Sequence, residues 1–196
     1  MERDFPKRSA SPPRKADVDS CRSLLNQIAQ GSEAALAEFY HLFEARIYAF
    51  AQIRLNDFHE AADLLNEVMW EVWRGAGRFQ GRSSVTTWVF GIAHHKVIDR
   101  LRSQGRHAME DLEQISDDAG EFDLDEVVTQ KQMKDHLFLC LEKLSHDHRQ
   151  VVHLAFFEGL SYREIGDIVG SPEGTIKARM FHAKQALKRC LARRIK

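Results

Sequence analysis

Apolar residues recur every three or four positions along most of this chain, and this spacing is typical of amphipathic helices. The first apolar stripe follows a Gly31–Ser32 start and contains Leu36, Phe39, Tyr40, Phe43, Ile47 and Phe50. A second helix is predicted over about residues 60–74, with a buried side made of Ala61, Leu64, Leu65, Val68 and Val72. No strand pattern or internal repeat appears, so the predicted fold class is all-α.

Two helix starts lie close together near the C-terminus. Ser161 and Glu164 fit a capping box, and Gly170 suits the left-handed end of the short helix that follows. Ser171 and Pro172 then predict a new helix, with Ser171 as N-cap and Pro172 in its first turn. Two helices joined by a short Gly-containing turn form a helix-turn-helix, whose second helix can enter a DNA major groove.

The second of these helices has two distinct sides. Its inner stripe contains Ile176, Met180, Ala183 and Leu187, and its outer side contains Ala178, Phe181, His182 and Gln185. Between Lys177 and Lys196 there are many cations and no Asp or Glu. A block of one sign suits phosphates, and an exposed Phe181 suits contact with a base or a thymine methyl group. The turn alone also fits an ordinary helical hairpin with a solvated charged face.

Charge is segregated along the chain, although the formal net charge is only -1. Residues 110–126 contain many Asp and Glu and no Lys or Arg, which is typical of a linker. Three of the four prolines lie before residue 14, in a stretch whose composition predicts disorder. We therefore predict a disordered tail over 1–17, a helical domain over 18–106, a flexible acidic linker over 107–128 and a second helical domain over 129–196.

Several classes of function find no support in the sequence. The three cysteines are far apart and form no C-x-x-C, so neither a disulfide framework nor a zinc ribbon is expected. Adjacent His94 and His95 point about 100° apart on a helix, and the His146–His148 pair falls at a helix start, so no metal site is predicted. No nucleotide loop or nucleophile motif appears, so no enzyme and no cofactor are expected. No apolar run predicts membrane insertion, and a reducing cytoplasm fits.

The first domain also contains two surfaces that need an explanation. Trp70 lies among acidic and polar residues on the outer side of the second helix, where a large aromatic often marks a partner surface. A Gly-rich basic loop over residues 75–84 then precedes a helix that begins near Val85 and carries cations at its end. Aromatic residues interleaved with cations suit unstacked bases and backbone phosphates.

The order and the residue patterns of these segments resemble those of the bacterial sigma-70 family, and in particular those of its extracytoplasmic-function (ECF) sigma factors. The segment AADLLNEVMWEVW resembles the family's polymerase-binding helix, and RFQGRSSVTTWVFGIAHHKVIDRLR resembles its segment for the minus-ten element. The segment LSYREIGDIVGSPEGTIKARMFHAKQAL resembles the family's C-terminal helix-turn-helix. The resemblance covers residues from about 24 to about 191.

The resemblance implies partners and residue roles. Such proteins bind core RNA polymerase, through the beta-prime clamp helices and the beta subunit, and promoter DNA, and an anti-sigma factor usually holds them inactive. The residues implied for the clamp helices are Asp63, Asn66, Glu67 and Trp70. Those implied for the minus-ten element are Gly81, Arg82, Ser83, Ser84, Val85, His95, Lys96, Asp99 and Arg102. Those implied for the minus-thirty-five element are Ser171, Thr175, Lys177, Ala178, Arg179, Phe181 and His182.

This chain departs from the family pattern at several of these positions. Asn66 stands where Gln is usual, His95 where Asn is common, and His182 where Arg is common. Asn and Arg read base edges through paired hydrogen bonds that His cannot reproduce, so the promoter sequence is expected to differ. A stand-alone helix-turn-helix regulator that binds DNA as a homodimer explains the C-terminal half equally well, but not the segment 75–102. Of the three hypotheses for the function, an enzyme that acts on nucleic acid has the least support from the sequence.

Overall fold

The computed structural model describes residues 15–105 and 130–194, and all regular structure in these two ranges is helical. The first range contains α1 (Lys15–Ala29), α2 (Glu33–Leu55), α3 (Phe58–Gly75), a 3₁₀ turn (Ala76–Arg78) and α4 (Val85–Ser103). The second contains α5 (Gln130–Glu142), α6 (His146–Phe156), α7 (Tyr162–Val169) and α8 (Glu173–Ala192). The all-α class is confirmed. The predicted linker and most of the predicted tail lie outside the described residues, and α1 begins at Lys15, inside that tail.

Short polar side chains cap the starts of most of these helices. Ser32 accepts a hydrogen bond from the Ala35 amide at 3.2 Å, and this confirms the predicted start of α2. Asp57 caps α3 by accepting from the amides of His59 and Glu60, both at 2.9 Å. Each cap gives partners to backbone donors that the first turn of a helix leaves unpaired. The caps therefore place the helix boundaries close to the sequence signals.

The core of the first range is rich in phenylalanine. Phe39, Phe43 and Phe50 on α2 are fully buried, as the apolar stripe predicted. Phe39 stacks on Phe43 with ring centroids 4.5 Å apart, and Phe50 meets Phe90 of α4 edge-on at 5.3 Å. The predicted inner side of α3 is also buried, with Met69 in addition. This packing leaves the opposite sides of α3 and α4 at the surface.

The helix-turn-helix is formed by α7 and α8. The capping box of Ser161 and Glu164 is present, and Gly170 ends α7 in the left-handed conformation at φ 67°. The predicted start of α8 is wrong by one residue, because Pro172 is the N-cap and Glu173 is the first helical residue. The Ser171 amide donates to the Gly166 carbonyl at 3.0 Å, so Ser171 completes the end of α7 and does not begin α8.

A disulfide joins Cys140 near the end of α5 to Cys190 near the end of α8. The sequence predicted no disulfide, and that prediction is wrong. The two cysteines are 50 residues apart in the chain, but α5 packs along α8 and brings their Cα atoms to 5.7 Å. Cys21 lies outside this disulfide and is buried in the first range. The bond therefore ties the first helix of the second domain to its last.

The two domains pack against each other. Helix α6 contacts α2, and α7 contacts α4, so the helix-turn-helix lies beside the segment predicted to bind the minus-ten element. Nothing in the sequence pattern predicted these contacts. In the part of the chain that the structure describes, no helix combines the length and the apolarity that a membrane span needs.

Candidate polymerase and nucleic-acid interfaces

The outer side of α8 is a largely polar surface with one large aromatic residue. Lys177, Ala178, Phe181 and His182 are exposed, and Phe181 keeps 59% of its surface accessible. This exposure agrees with the face that periodicity predicted. Lys177 pairs with Glu173 one turn earlier at 2.7 Å, and the two exposed side chains can separate at little cost when another charge approaches. The surface thus offers a stacking ring beside cations.

Two of the three remaining predicted residues of the helix-turn-helix, Ser171 and Arg179, are less exposed. Arg179 is half-buried and pairs with Asp147 of α6 at 2.8 Å. The Thr175 amide donates to the Pro172 carbonyl at 2.9 Å in the first turn of α8, and the residue is exposed. Ser171 is half-buried in the turn. The structure brings these residues to one end of α8 and leaves only part of the set free for a ligand.

The loop before α4 is fixed by its own hydrogen bonds. Ser84 caps α4 by accepting from the Thr87 amide at 3.0 Å, and the two side-chain hydroxyls lie 2.7 Å apart. Gly81 has a φ of +68°, which favours glycine, while Arg82 and Ser83 are exposed. Val85 is only 3% exposed. Its side chain belongs to the core because it begins the buried stripe of α4, so Val85 is withdrawn from the predicted DNA contacts.

The polar side of α4 continues the same surface. His95 is exposed, and its Nδ1 lies 2.7 Å from the Gly91 carbonyl oxygen. Asp99 and Arg102 are exposed and face each other loosely at 3.9 Å. Lys96 lies between two carboxylates of α3, with Glu67 at 3.7 Å and Glu71 at 3.4 Å. Of the predicted minus-ten residues on α4, His95, Asp99 and Arg102 are therefore exposed and Lys96 is half-buried.

The acidic side of α3 is partly engaged by α4. Asp63, Asn66 and Trp70 are exposed, but Glu67 pairs with Arg100 as well as with Lys96. The sequence missed the role of Arg100, which also donates to the Glu60 carbonyl at 2.8 Å. The sequence signal that could have indicated this pairing is the combination of an acidic side on α3 with a basic end on α4. Glu67 thus connects the predicted polymerase surface to the predicted DNA surface.

An apolar groove lies beside this face. It has a volume of about 490 Å³ and is lined by Glu33, Leu36, Asn66, Met69, Trp70 and Trp73. Trp70 is 59% exposed at its edge. An aromatic side chain at the rim of a groove can bury a large area at a small cost in conformational entropy. The groove therefore extends the candidate partner surface from α3 toward the start of α2.

His94 is a buried histidine between the domains. Its Nδ1 lies 2.9 Å from Gln150 Nε2, and because an amide nitrogen can only donate, the ring accepts and is neutral. Burial, followed by the nearby charges of Arg54 and His95, lowers the pKa of His94 from 6.5 to about 4. In the described ranges no three His, Cys, Asp or Glu side chains come together as a metal site would require.

The lowered pKa predicts a stability that depends on pH. The unfolded chain takes up a proton at this histidine below pH 6.5, whereas the folded chain resists until about pH 4, so the stabilisation is complete above pH 6.5 and is lost as the pH falls toward 4. When the pH falls from about 7 to about 5, the free energy of unfolding of the parent should decrease by about 2 kcal/mol more than that of the His94→Asn variant. Urea unfolding at both pH values measures this. Equal losses in parent and variant would contradict it.

Comparisons with known proteins match both domains. The Sigma-70 region 2 family covers residues 39–107, and the Sigma-70 region 4 family covers residues 140–189. This pair of modules defines the class of the protein as a sigma-70 type transcription initiation factor. The chain is 30% identical to the ECF RNA polymerase sigma factor SigK of Mycobacterium tuberculosis (strain ATCC 25618 / H37Rv) over 92% of this chain and 97% of SigK. It therefore belongs to the ECF sigma factors.

One further relative and two solved structures are also similar to this chain. SigK of Mycolicibacterium vanbaalenii is 29% identical, over 90% of each chain. The fold resembles CnrH in complex with the cytosolic domain of CnrY, at a TM-score of 0.61 and 18% identity over 88% of this chain and 97% of that one. It also resembles the sigma factor RpoE of Bartonella quintana in complex with the anti-sigma factor NepR, at a TM-score of 0.54 and 25% identity over 79% and 96%.

Proposed function

We propose that this ECF sigma factor places its α3 face on the beta-prime clamp helices of core RNA polymerase and its α8 face in the major groove of the minus-thirty-five element. The loop before α4 and the polar side of α4 take the minus-ten element in this proposal. The observation that supports it best is the exposed side of α8, where Phe181 is 59% accessible beside Lys177 on a helix-turn-helix. The boundaries of the two domains, 18–106 and 129–196, stay part of the proposal.

Control by an anti-sigma factor and a non-catalytic role in the cytoplasm are also part of the proposal. RpoE of Bartonella quintana was solved with its anti-sigma factor NepR, at 25% identity to this chain. An inhibitor that covers the acidic face of α3 and the cationic end of α8 would block both partners at once. The beta subunit of polymerase is the partner that we assign to the second domain, beside DNA.

Binding to purified bacterial core RNA polymerase, followed by run-off transcription from genomic fragments, tests this function. We expect tight binding and new specific start sites. A chain that binds DNA as a dimer, and that neither binds polymerase nor starts transcription, would support the stand-alone regulator and cancel the roles of Asp63, Asn66 and Glu67. Activity on DNA without polymerase would support an enzyme.

Lys177→Ala should weaken promoter binding and make it less sensitive to salt. If Lys177 neutralises one phosphate, its loss removes about one unit from the slope of log affinity against log salt concentration. Lys143, which is exposed between α5 and α6, provides a matched control, and Lys143→Ala should leave the slope unchanged. Filter binding or fluorescence anisotropy over a series of salt concentrations measures both slopes. Equal slopes for all three proteins would remove Lys177 from the interface.

A further inference from the structure

An arginine of the first helix reaches the loop that precedes α4. Arg22 follows buried Cys21 and precedes buried Leu24, so it lies at the edge of the stripe that α1 packs into the core. Helix α1 contacts both the 3₁₀ turn (Ala76–Arg78) and α4, which are the two elements that the loop connects. The packing of α1 therefore places the Arg22 side chain beside this loop.

The guanidinium of Arg22 lies against the backbone of Gly81. A Cβ atom built on Gly81 would be 2.7 Å from Arg22 Nη2 and 3.3 Å from Arg22 Cζ. A contact of 2.7 Å is too short for a real Cβ atom, so any other residue at this position would push the arginine aside. Glycine thus permits both the turn of the loop and the close approach of a cation from α1.

Arg22 and the next residue of the loop, Arg82, form what we call the arginine pair. The Cα atoms of Gly81 and Arg82 are about 3.8 Å apart, so the Arg22 guanidinium lies near the Arg82 backbone. Both arginines are exposed, and neither makes a hydrogen bond or an ion pair with any residue in the ranges 15–105 and 130–194. Two unpaired charges of one sign repel each other, and an anion bound between them reverses this effect.

The anion that suits the arginine pair best is a phosphate. A guanidinium has five N–H donors in a plane, and two of them can bond two oxygens of one phosphate at the same time. The carboxylate of Glu164 reaches the far end of the loop, but Thr87 donates to it at 2.9 Å, and it also belongs to the capping box of α7. The donors of the arginine pair therefore stay available for a ligand.

We propose that Arg22 is a further DNA-binding residue, which holds, together with Arg82, one backbone phosphate of the strand that the loop takes at the minus-ten element. The inference rests on the proposed function, because that function brings a DNA strand to this loop. A contact to phosphate fixes the position of the strand and contains no sequence information. Arg22 should therefore add affinity for every strand that the loop accepts, whatever its bases are.

Three variants of the full-length chain test this role. Arg22→Met removes the charge and keeps a flexible side chain that favours a helix. Arg22→Lys keeps the charge but loses the paired donors. Lys143→Met is the matched control, because it removes one exposed cation between α5 and α6, away from the loop. Urea unfolding should show the same stability for all four proteins, since both positions are exposed.

Each protein is combined with bacterial core RNA polymerase, and the complex is titrated with a single-stranded oligonucleotide that carries the minus-ten element mapped by run-off transcription. Fluorescence anisotropy over a series of salt concentrations gives the affinity and its salt slope. Arg22→Met should weaken binding by about tenfold and lower the slope by about 0.7, the value for one phosphate of a single strand. Arg22→Lys should keep the slope and lose about threefold in affinity. Lys143→Met should match the parent.

Oligonucleotides with a single uncharged methylphosphonate identify the contacted phosphate. The substitution is moved along the strand one position at a time, and each oligonucleotide is bound to parent and to Arg22→Met complexes. At one position the parent should lose about tenfold in affinity while Arg22→Met loses nothing further, because the two changes remove the same contact. At the other positions the two proteins should lose equally.

Two results would overturn the role of Arg22. An Arg22→Met complex with the affinity and slope of the parent would show that Arg22 does not contact the strand. A weaker complex whose losses equal those of the parent at every methylphosphonate would show that Arg22 only supports the loop. A parent chain that neither binds polymerase nor starts transcription would instead contradict the proposed function, and the role of Arg22 would be abandoned with it.

Discussion

A chain in which Cys140 and Cys190 are both replaced by serine should lose about 4 kcal/mol of unfolding free energy relative to the oxidised parent. The disulfide joins residues 50 positions apart. The stabilisation expected from closing a loop of this length in the unfolded chain lies between the values for short loops and for 100-residue loops. The loss should fall on the second domain, where α5 is tied to the end of α8. Urea unfolding followed by far-UV circular dichroism measures it.

Reductant and thiol titration provide the controls. The oxidised parent should show one reactive thiol, that of buried Cys21, and only after unfolding, because the sequence has three cysteines and the other two form the disulfide. Reductant should lower the stability of the parent to that of the double serine variant and leave the variant unchanged. If the bond forms but the oxidised and reduced parents unfold at the same urea concentration, the loop contributes nothing and the prediction is wrong.

Local signals predicted most of the helices. The stripe that contains Phe39, Phe43 and Phe50 is buried, and Ser32 caps α2 where a start was expected. The capping box at Ser161 is also present. These features depend on residues within a turn or two of each other, and backbone geometry alone relates their spacing to one face of a helix. The pattern therefore contains enough information to place them.

Contacts between distant segments could not be predicted in this way. Arg46 and Glu158 are 112 positions apart, and neither has a neighbour in sequence that indicates the other. The same holds for Cys140 and Cys190, since a spacing of 50 residues matches no local motif. Such contacts follow from how helices pack, which hydrophobic periodicity leaves open. The predicted start of α8 was wrong for a related reason, because the Ser171 amide donates a hydrogen bond to the Gly166 carbonyl across the turn.

The exposure of the candidate surfaces was predicted better than the contacts that their residues make within the chain. Periodicity indicated that Phe181 and Trp70 would be exposed, and both are. The family resemblance, and not periodicity, assigned Val85 to DNA, and Val85 is buried in the core. Periodicity could not show that Glu67 would pair with Arg100, because that pairing depends on how α3 and α4 pack. Which of the exposed residues bind polymerase or DNA stays a prediction that binding experiments must test.

Trp70→Ala should weaken binding to core RNA polymerase by about thirtyfold, or about 2 kcal/mol. Trp70 lies at the rim of the groove beside α3, is 59% exposed, and shares its helix face with Asp63 and Asn66. An aromatic at the centre of an interface loses a large buried area when it is cut back to a methyl group. Alanine favours the helix, so α3 should stay intact. Titration of labelled polymerase with parent and variant measures the change.

Phe58 supplies the matched control for this experiment. It is 62% exposed at the start of α3, but it lies twelve residues before Trp70 and so points about 120° away around the helix. Phe58→Ala removes an equally exposed aromatic from the same helix and should change polymerase affinity by less than about twofold, since it lies off the predicted face. Equal losses for the two variants would show that the interface is not centred on the acidic face. A loss for Phe58→Ala alone would move it toward the start of α3, and the roles assigned to Asp63 and Asn66 would then have to be abandoned.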